Sequence, residues 1–327
     1  MQRREFITLI GGATVAWPLT ALAQQSVVPV IGYLGAESPA AFASRVRAYR
    51  QGLAEAGYAE GRNVAIEFRW AEGQHNRLAA LAADLVARQV AVIVAPGGAP
   101  AALAAKSATT TIPIVFEMGA DPVAIGLVDS LSRPGGNLTG VTSLSVEVTP
   151  KRLEFLHELI PTAGLVAALI NPTSPTADSQ TKNLQALARA RGLQLEVLQA
   201  SSERDFDGVF ATLSQLRTAG LVFASDTLFG THGEQLALLT VRHAVSAIHQ
   251  SRDFTTAGGL MSYGGSFFES HRQAGIYTGR IINGDKPADL PVQQVTKVEF
   301  FINLKTAKNF GVTFPISLLG RADQVIE

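Results

Sequence analysis

The sequence predicts an α/β protein built as two doubly wound parallel-sheet lobes joined by several crossovers. Three observations lead there. Short β-branched runs alternate with stretches of helical spacing, a pattern that gives parallel sheets covered on both faces. The alternation comes in two similar sets, separated by a stretch rich in Gly, Pro and Ser, and further elements follow the second set. The 327 residues suit about two domains, and 47% hydrophobic composition supplies a core for each.

The first set opens with "VPVIGYL", a run suited to a buried strand, and Phe42, Val46, Tyr49 and Leu53 then recur at helical spacing until Gly57. The unit repeats as "NVAIEFRW" with a helix over 76–88, as "VAVIVA" with a helix over 99–108, and ends on the strand "IPIVFEM". The Gly- and Pro-rich "ADPVAIGLVDSLSRPGGNLTGVTSLSVEV" reads as a crossover between lobes. Thr149 and Pro150 suit the N-cap and first turn of a helix striped by Leu153, Leu156, Leu159 and Ile160. The second set follows: strand "GLVAALIN", helix 177–190, strand "LQLEVLQA", a helix striped by Phe206, Val209, Leu213 and Leu216, strand "GLVFAS", helix 235–243 and strand "VSAIHQ". Beyond it, "GGLMSYGGS" leads into a helix over 266–282, and "VTKVEFFINL" alternates as one more strand. Elements after both sets imply that the chain crosses between lobes more than once, which makes a hinge. The expected division is 27–143 with 258–292 for the first lobe and 144–257 with 293–327 for the second.

Ahead of the first lobe, "QRREFITLIGGATVAWPLTALAQQ" has two arginines, an apolar segment broken by Gly11, Gly12 and Pro18, and the small-residue end Ala21-Leu22-Ala23. A spanning helix needs about 20 predominantly apolar residues, so 1–23 reads as a signal peptide cleaved after Ala23. The arginine pair also resembles a twin-arginine signal, and both the Tat and the Sec routes stay open. The sequence contains no cysteine, so neither a disulfide framework nor a lipobox anchor is available. A free exported product fits a Gram-negative periplasm, with no direct membrane anchor and a monomeric state expected. Lys and Arg balance Asp and Glu at 27 each and are scattered singly, which argues against nucleic acid as a partner.

In open α/β sheets the ligand crevice lies beyond the carboxyl ends of the strands. The residues there are Glu37 and Ser38 after the first strand, Gly97 and Gly98 after the third, and Glu117 and Asp121 around the end of the fourth. In the second lobe they are Thr173 and Ser174, then Asp226 and Phe229, then Tyr263. Small and hydroxyl residues at helix starts present free N–H groups that suit a carboxylate, and each such residue equally suits plain capping. Asp226 and Glu117 follow apolar strands, where a carboxylate is costly to bury unpaired, so each either meets a ligand cation or caps a helix. Tyr263 faces the cleft or packs the hinge; Phe229 stacks on a ligand or fills the core. All eleven are carried forward as candidate ligand-binding residues.

Enzyme signatures are missing: no G-x-G-x-x-G, P-loop, G-x-S-x-G elbow or H-E-x-x-H occurs. The six histidines show no metal-ligand spacing, and without cysteine thiol chemistry is excluded. No catalytic residue, metal ligand or cofactor is assigned.

The segments "VIGYLG", "VIVAPGG", "IPIVFEMGADPV", "GGNLTGVT", "PKRLEFLHELIP", "LINPTSP", "AGGLMSYG" and "ADLPVQQVTKVEFFINLKTAKNFGVTFP" together resemble the periplasmic substrate-binding components of an ABC transporter family related to tryptophan/tyrosine uptake systems. The resemblance covers essentially the whole chain after the signal. It implies a type I periplasmic-binding-protein fold, two lobes closing on a small ligand, and delivery to a membrane permease driven by a separate ATPase subunit. The resulting expectation is a receptor for a small carboxylate-bearing molecule, an amino acid or aromatic acid. Two rivals remain at this point: a periplasmic ligand sensor for a membrane receptor kinase, and a secreted α/β hydrolase.

Overall fold

The computed structural model describes residues 28–327, so the signal peptide expected over 1–23 lies outside the described residues. Strands β1 (Val30–Gly35), β2 (Ala65–Trp70), β3 (Val92–Ala95), β4 (Ile114–Met118) and β5 (Leu138–Thr142) alternate with helices α1 (Ala43–Glu55), α2 (Leu78–Ala87) and α3 (Gly98–Ala108). After α4 (Thr149–Leu159) come β6 (Leu165–Ile170), α5 (Ala177–Ala190), β7 (Gln194–Gln199), α6 (Phe206–Leu216) and β8 (Gly220–Phe223). Next are α7 (Thr227–Thr231), α8 (Gly233–Arg242), β9 (Ser246–His249), α9 (Arg252–Thr256), β10 (Met261–Gly265) and α10 (Phe267–Ile282). The chain closes with β11 (Gln293–Gln294), β12 (Val298–Asn303), α11 (Leu304–Phe310), α12 (Ile316–Leu319) and β13 (Gln324–Ile326).

These strands form two sheets, β11-β5-β4-β3-β1-β2 and β13-β12-β10-β9-β8-β6-β7. All pairings are parallel except β10 with β12. Inner strands such as β3, β4 and β8 are buried along their whole length, as their unbroken apolar runs require. The edge strand β7, "QLEVLQ", alternates polar and apolar and is only partly covered. Each sheet carries helices on both faces, with a separate apolar cluster under each layer.

The chain passes between the sheets three times: between β5 and α4, between β10 and α10, and between β11 and β12. Helix α10 returns to the first lobe, where Ala274, Tyr277 and Ile281 pack with Tyr49 and Leu53 of α1. Strand pairing moves two segments relative to the sequence division. β10 belongs to the second sheet, since Met261 and Ser262 pair with Ile248 and His249, and β11 belongs to the first, beside β5. Periodicity marks a strand but not the neighbour it hydrogen-bonds, which is why the boundaries at 258 and 293 shift. The short β5 lies inside the stretch read as pure crossover, its apolar pattern diluted by Thr139 and Gly140. Thr149 also differs: Val148 is the N-cap, and Thr149 is buried inside the helix.

Candidate functional site

The carboxyl ends of β1, β3, β4, β8 and β9 bring residues of both lobes to one cleft. A cavity of about 50 Å3 is bounded by Gly98 and Glu117 from the first lobe and by Ser174, Ser225, Asp226 and Thr227 from the second. The lobes touch here, with Thr227 Oγ1 donating to the Gly97 carbonyl at 3.5 Å. Gly98 has φ +74°, and a Cβ on it would lie 2.5 Å from Thr227 Oγ1. Glycine therefore serves both the left-handed turn into α3 and the approach of the opposite lobe. A second cavity of about 360 Å3 adjoins the first and shares Arg45, Gln250 and Phe267 with it.

Charge around the two cavities comes from both lobes, Arg45 and Glu117 from the first and Asp226, Arg252, Asp253 and Glu299 from the second. Glu37 is 3% exposed, and its Oε1 has no hydrogen-bond partner. Burial raises its pKa, and Asp226 across the cleft adds to that while His232 and Arg45 oppose it. Glu117, also buried, accepts from Ser270 Oγ at 2.7 Å, and burial pushes its pKa up to about 7. His271 Nε2 stands 3.6 Å from Glu117 Oε2. The His271 Nδ1 contacts the Phe267 carbonyl at 2.8 Å, which sets the tautomer: Nδ1 carries the proton and Nε2 is free to accept. That nitrogen has no hydrogen-bond partner among the described residues. Burial holds the His271 pKa down at about 3, so the ring is neutral.

Arg45, in the first turn of α1, is 7% exposed. Its guanidinium lies 4.9 Å from the centre of the Phe42 ring and 4.6 Å from that of Phe267. Among the described residues no hydrogen bond or ion pair within ordinary distance reaches it, although Glu117, Asp253 and Glu37 are near enough to support its charge. Two aromatic faces offset part of the desolvation, and the N–H groups are left for another acceptor.

The second lobe presents a satisfied counterpart. Arg152 of α4 is fully buried and donates to the carbonyls of Tyr263 (2.7 Å), Ser145 (3.0 Å) and Phe223 (3.3 Å) and to the hydroxyls of Ser225 (3.0 Å) and Thr149 (3.2 Å). Burial lowers its pKa to about 9. Gln180 locks the same corner, accepting from the Ser225 N–H and Thr149 Oγ1 and donating to the Ser225 carbonyl and Thr176 Oγ1. Asp226, at the mouth of this network, accepts from Asn171 Nδ2 at 2.9 Å and from the Leu228 N–H at 3.0 Å, capping α7. Burial nevertheless raises its pKa. Gln250 Nε2 donates to the Asp226 carbonyl at 2.6 Å.

Of the residues singled out from the sequence, Glu37, Gly97, Gly98, Glu117, Ser174 and Asp226 come together around the cleft. Ser38, Asp121 and Thr173 serve local turns instead: Ser38 Oγ accepts from the Ala41 N–H, Asp121 Oδ1 from the Val123 N–H, and Thr173 donates to Asn171 Oδ1. Phe229 lies apart from the cleft, fully buried against Phe206 and Phe223, because its place on the short α7 turns its ring into the core. Tyr263 is half-buried and packs edge-on against Phe155 at 4.8 Å between ring centres, against the core of the second lobe. Arg45, Gln250, Phe267 and Thr227 were not foreseen. Arg45 did leave a trace, since it falls three residues after Phe42 and four before Tyr49 on an otherwise apolar stripe.

Two doubly wound lobes, three crossovers and a cleft at the strand ends define a two-lobed binding protein. The chain belongs to the ABC transporter substrate binding protein family, whose model matches residues 36–326. Family members bind substrates rather than transform them, so the chain is not an enzyme. It is 25% identical over 263 residues to a tyrosine-binding protein of Clostridioides difficile (strain R20291), covering 80% of this chain and 75% of that one. Among solved structures it resembles an ABC domain from Streptococcus pneumonia in complex with L-Trp: TM-score 0.80, 26% identity, 91% of this chain and 99% of that one. A conserved domain protein from Vibrio cholerae O1 biovar El Tor matches with TM-score 0.81, 26% identity and the same coverage. The relatives have the type I periplasmic-binding fold expected from the sequence. No helix among the described residues is long and apolar enough to cross a membrane.

Proposed function

We propose that this protein is the exported, periplasmic solute receptor of an ABC transporter and that its ligand is an amino acid with an aromatic side chain. It works as a monomer without a membrane anchor of its own, handing the ligand to a permease coupled to a separate ATPase subunit. One observation carries the reading: the two cavities between the lobes are lined by the carboxyl groups of Glu117, Asp226, Asp253 and Glu299 together with one arginine, Arg45, that lacks a partner. A zwitterion answers both signs, its ammonium meeting Asp226 and its carboxylate meeting donors. The tyrosine-binding and L-Trp-bound relatives support the aromatic class. Ligand and lobes join fully only when both half-sites meet, so binding favours closure.

The test is mass spectrometry of the small molecules that co-purify, followed by calorimetry with L-tryptophan, L-tyrosine and non-aromatic amino acids. Tight binding of an aromatic amino acid is the expected result. Binding restricted to sugars or to molecules without a cationic group would overturn it.

A further inference from the structure

Resting on the amino-acid reading above, we infer that Arg45 seats the ligand's carboxylate at the junction of two compartments and that the larger one, beside α9 and the start of α10, receives the side chain. Size decides which compartment does what. The cavity between the strand ends, about 50 Å3, has room for little more than an ammonium-bearing head group. The adjoining cavity, about 360 Å3, falls at the lower end of the roughly 300–1,000 Å3 span of small-molecule sites. Strand-end residues border both compartments, with Gln250, Ser251, Gly265 and Ser266 lining the larger one.

Arg45 is one of the few side chains common to both compartments, and its position explains why its guanidinium is unpaired. The Phe42 and Phe267 rings fix the plane of the fork without consuming its N–H groups. A planar carboxylate is the acceptor that such a fork fits, with two parallel charge-assisted bonds. From that point the ammonium reaches toward Asp226 and Glu117, and the side chain is left the only spacious direction. There it meets the Phe267, Phe268 and Phe301 side chains, with the Arg252 guanidinium lying 5.1 Å from the centre of the Phe301 ring. An aromatic ring stacks well on such walls. Ser44 and Thr256 line the same compartment from exposed positions, so they can be enlarged without disturbing a core.

Calorimetry with L-tryptophan, tryptamine and L-alanine tests the assignment, with thermal melts by circular dichroism as the folding control. Wild-type protein should bind tryptophan at least tenfold more tightly than tryptamine, which lacks the carboxylate. Arg45→Met should weaken tryptophan by about ten- to hundred-fold and leave tryptamine unchanged. Ser44→Phe, which fills the larger compartment, should weaken tryptophan at least tenfold more than alanine. Unchanged tryptophan affinity in Arg45→Met, equal binding of tryptophan and tryptamine by the wild type, or equal losses for tryptophan and alanine in Ser44→Phe would each overturn the proposal while leaving the amino-acid reading intact. If Arg45→Met does not fold, the tryptamine comparison and Ser44→Phe decide. Wild-type protein that binds no amino acid would overturn the reading and the proposal together.

Discussion

Arg45 and Arg152 occupy comparable places in the two lobes, and their surroundings are opposite. Each sits in the first turn of a helix, on the apolar stripe, and each is buried. Arg152 spends its N–H groups on three carbonyls and two hydroxyls gathered from α4, β8, β10 and the first crossover. Arg45 has aromatic faces and no acceptor. A buried polar group that is fully satisfied stabilises one arrangement of the chain, whereas one left unsatisfied is a standing cost that a ligand can relieve. The second lobe's corner is thus a brace, and the first lobe's keeps donors open, as the proposed ligand site requires. Arg152→Met should therefore have the largest effect on folding, lowering stability by about 3 kcal/mol or more as buried acceptors lose their donor, read as a drop in urea midpoint. Arg45→Met, which removes the unpaired buried charge, should leave that midpoint unchanged or raised; a comparable drop in both variants would break the contrast.

Asp226 stands at the border between the two regimes, with partners inside its own lobe and a face toward the cleft. Asp226→Ala should cost about 1.5–3 kcal/mol of binding, roughly ten- to hundred-fold in affinity, and also about 1 kcal/mol of stability through the lost cap of α7. Calorimetry and denaturation read the two separately. Loss of stability with wild-type affinity would assign Asp226 to the brace alone.

Glu117 sharpens the comparison through pH. Its pKa rises from 4.5 unfolded to about 7 folded because burial disfavours the charge. Between those values the folded protein binds more of the proton, so this group's contribution is fully present below about pH 4.5 and is lost as pH rises through about 7. Its part of the stability curve should fall by about 3 kcal/mol across that window. Glu117→Gln should flatten the fall, and an unchanged slope in the variant would place the proton elsewhere.

Gly98→Ala should give the smallest effect. The added Cβ meets Thr227 where the lobes touch, so overpacking of about 1 kcal/mol should translate to roughly fivefold weaker binding, separate from the folding cost of a non-glycine residue in the left-handed turn at φ +74°. Scattering of the ligand-saturated variant should show a less compact particle, and combining it with Thr227→Ala should restore much of the loss.

Much of this was legible in the sequence for stated physical reasons. Period-two and helical spacing placed most of the strands and long helices, since the inner strands and helix stripes are buried along unbroken apolar patterns. The rule that crevices lie beyond strand ends located Glu37, Gly97, Gly98, Glu117, Ser174 and Asp226. What escaped depended on three-dimensional neighbours: which sheet β10 and β11 join, whether Tyr263 faces ligand or core, and whether Ser38, Asp121 and Thr173 face the cleft or close their own turns. The arginines escaped differently. A cation on an apolar helical stripe announces a buried charge, yet spacing along one helix cannot tell the satisfied Arg152 from the unpaired Arg45.

The three passages between lobes are themselves joined. Val295 N–H donates to the Thr142 carbonyl, Gly265 pairs with Val298, and a Cβ on Gly265 would lie 2.8 Å from that of Ser143. Separate threads would let the lobes twist and slide freely; passages lying edge to edge behave as a ribbon, which bends about its flat axis far more readily than it shears. Rotation is then the soft motion expected between the lobes, and the alignment of the proposed half-sites would be inherited from the backbone instead of being found anew by each ligand.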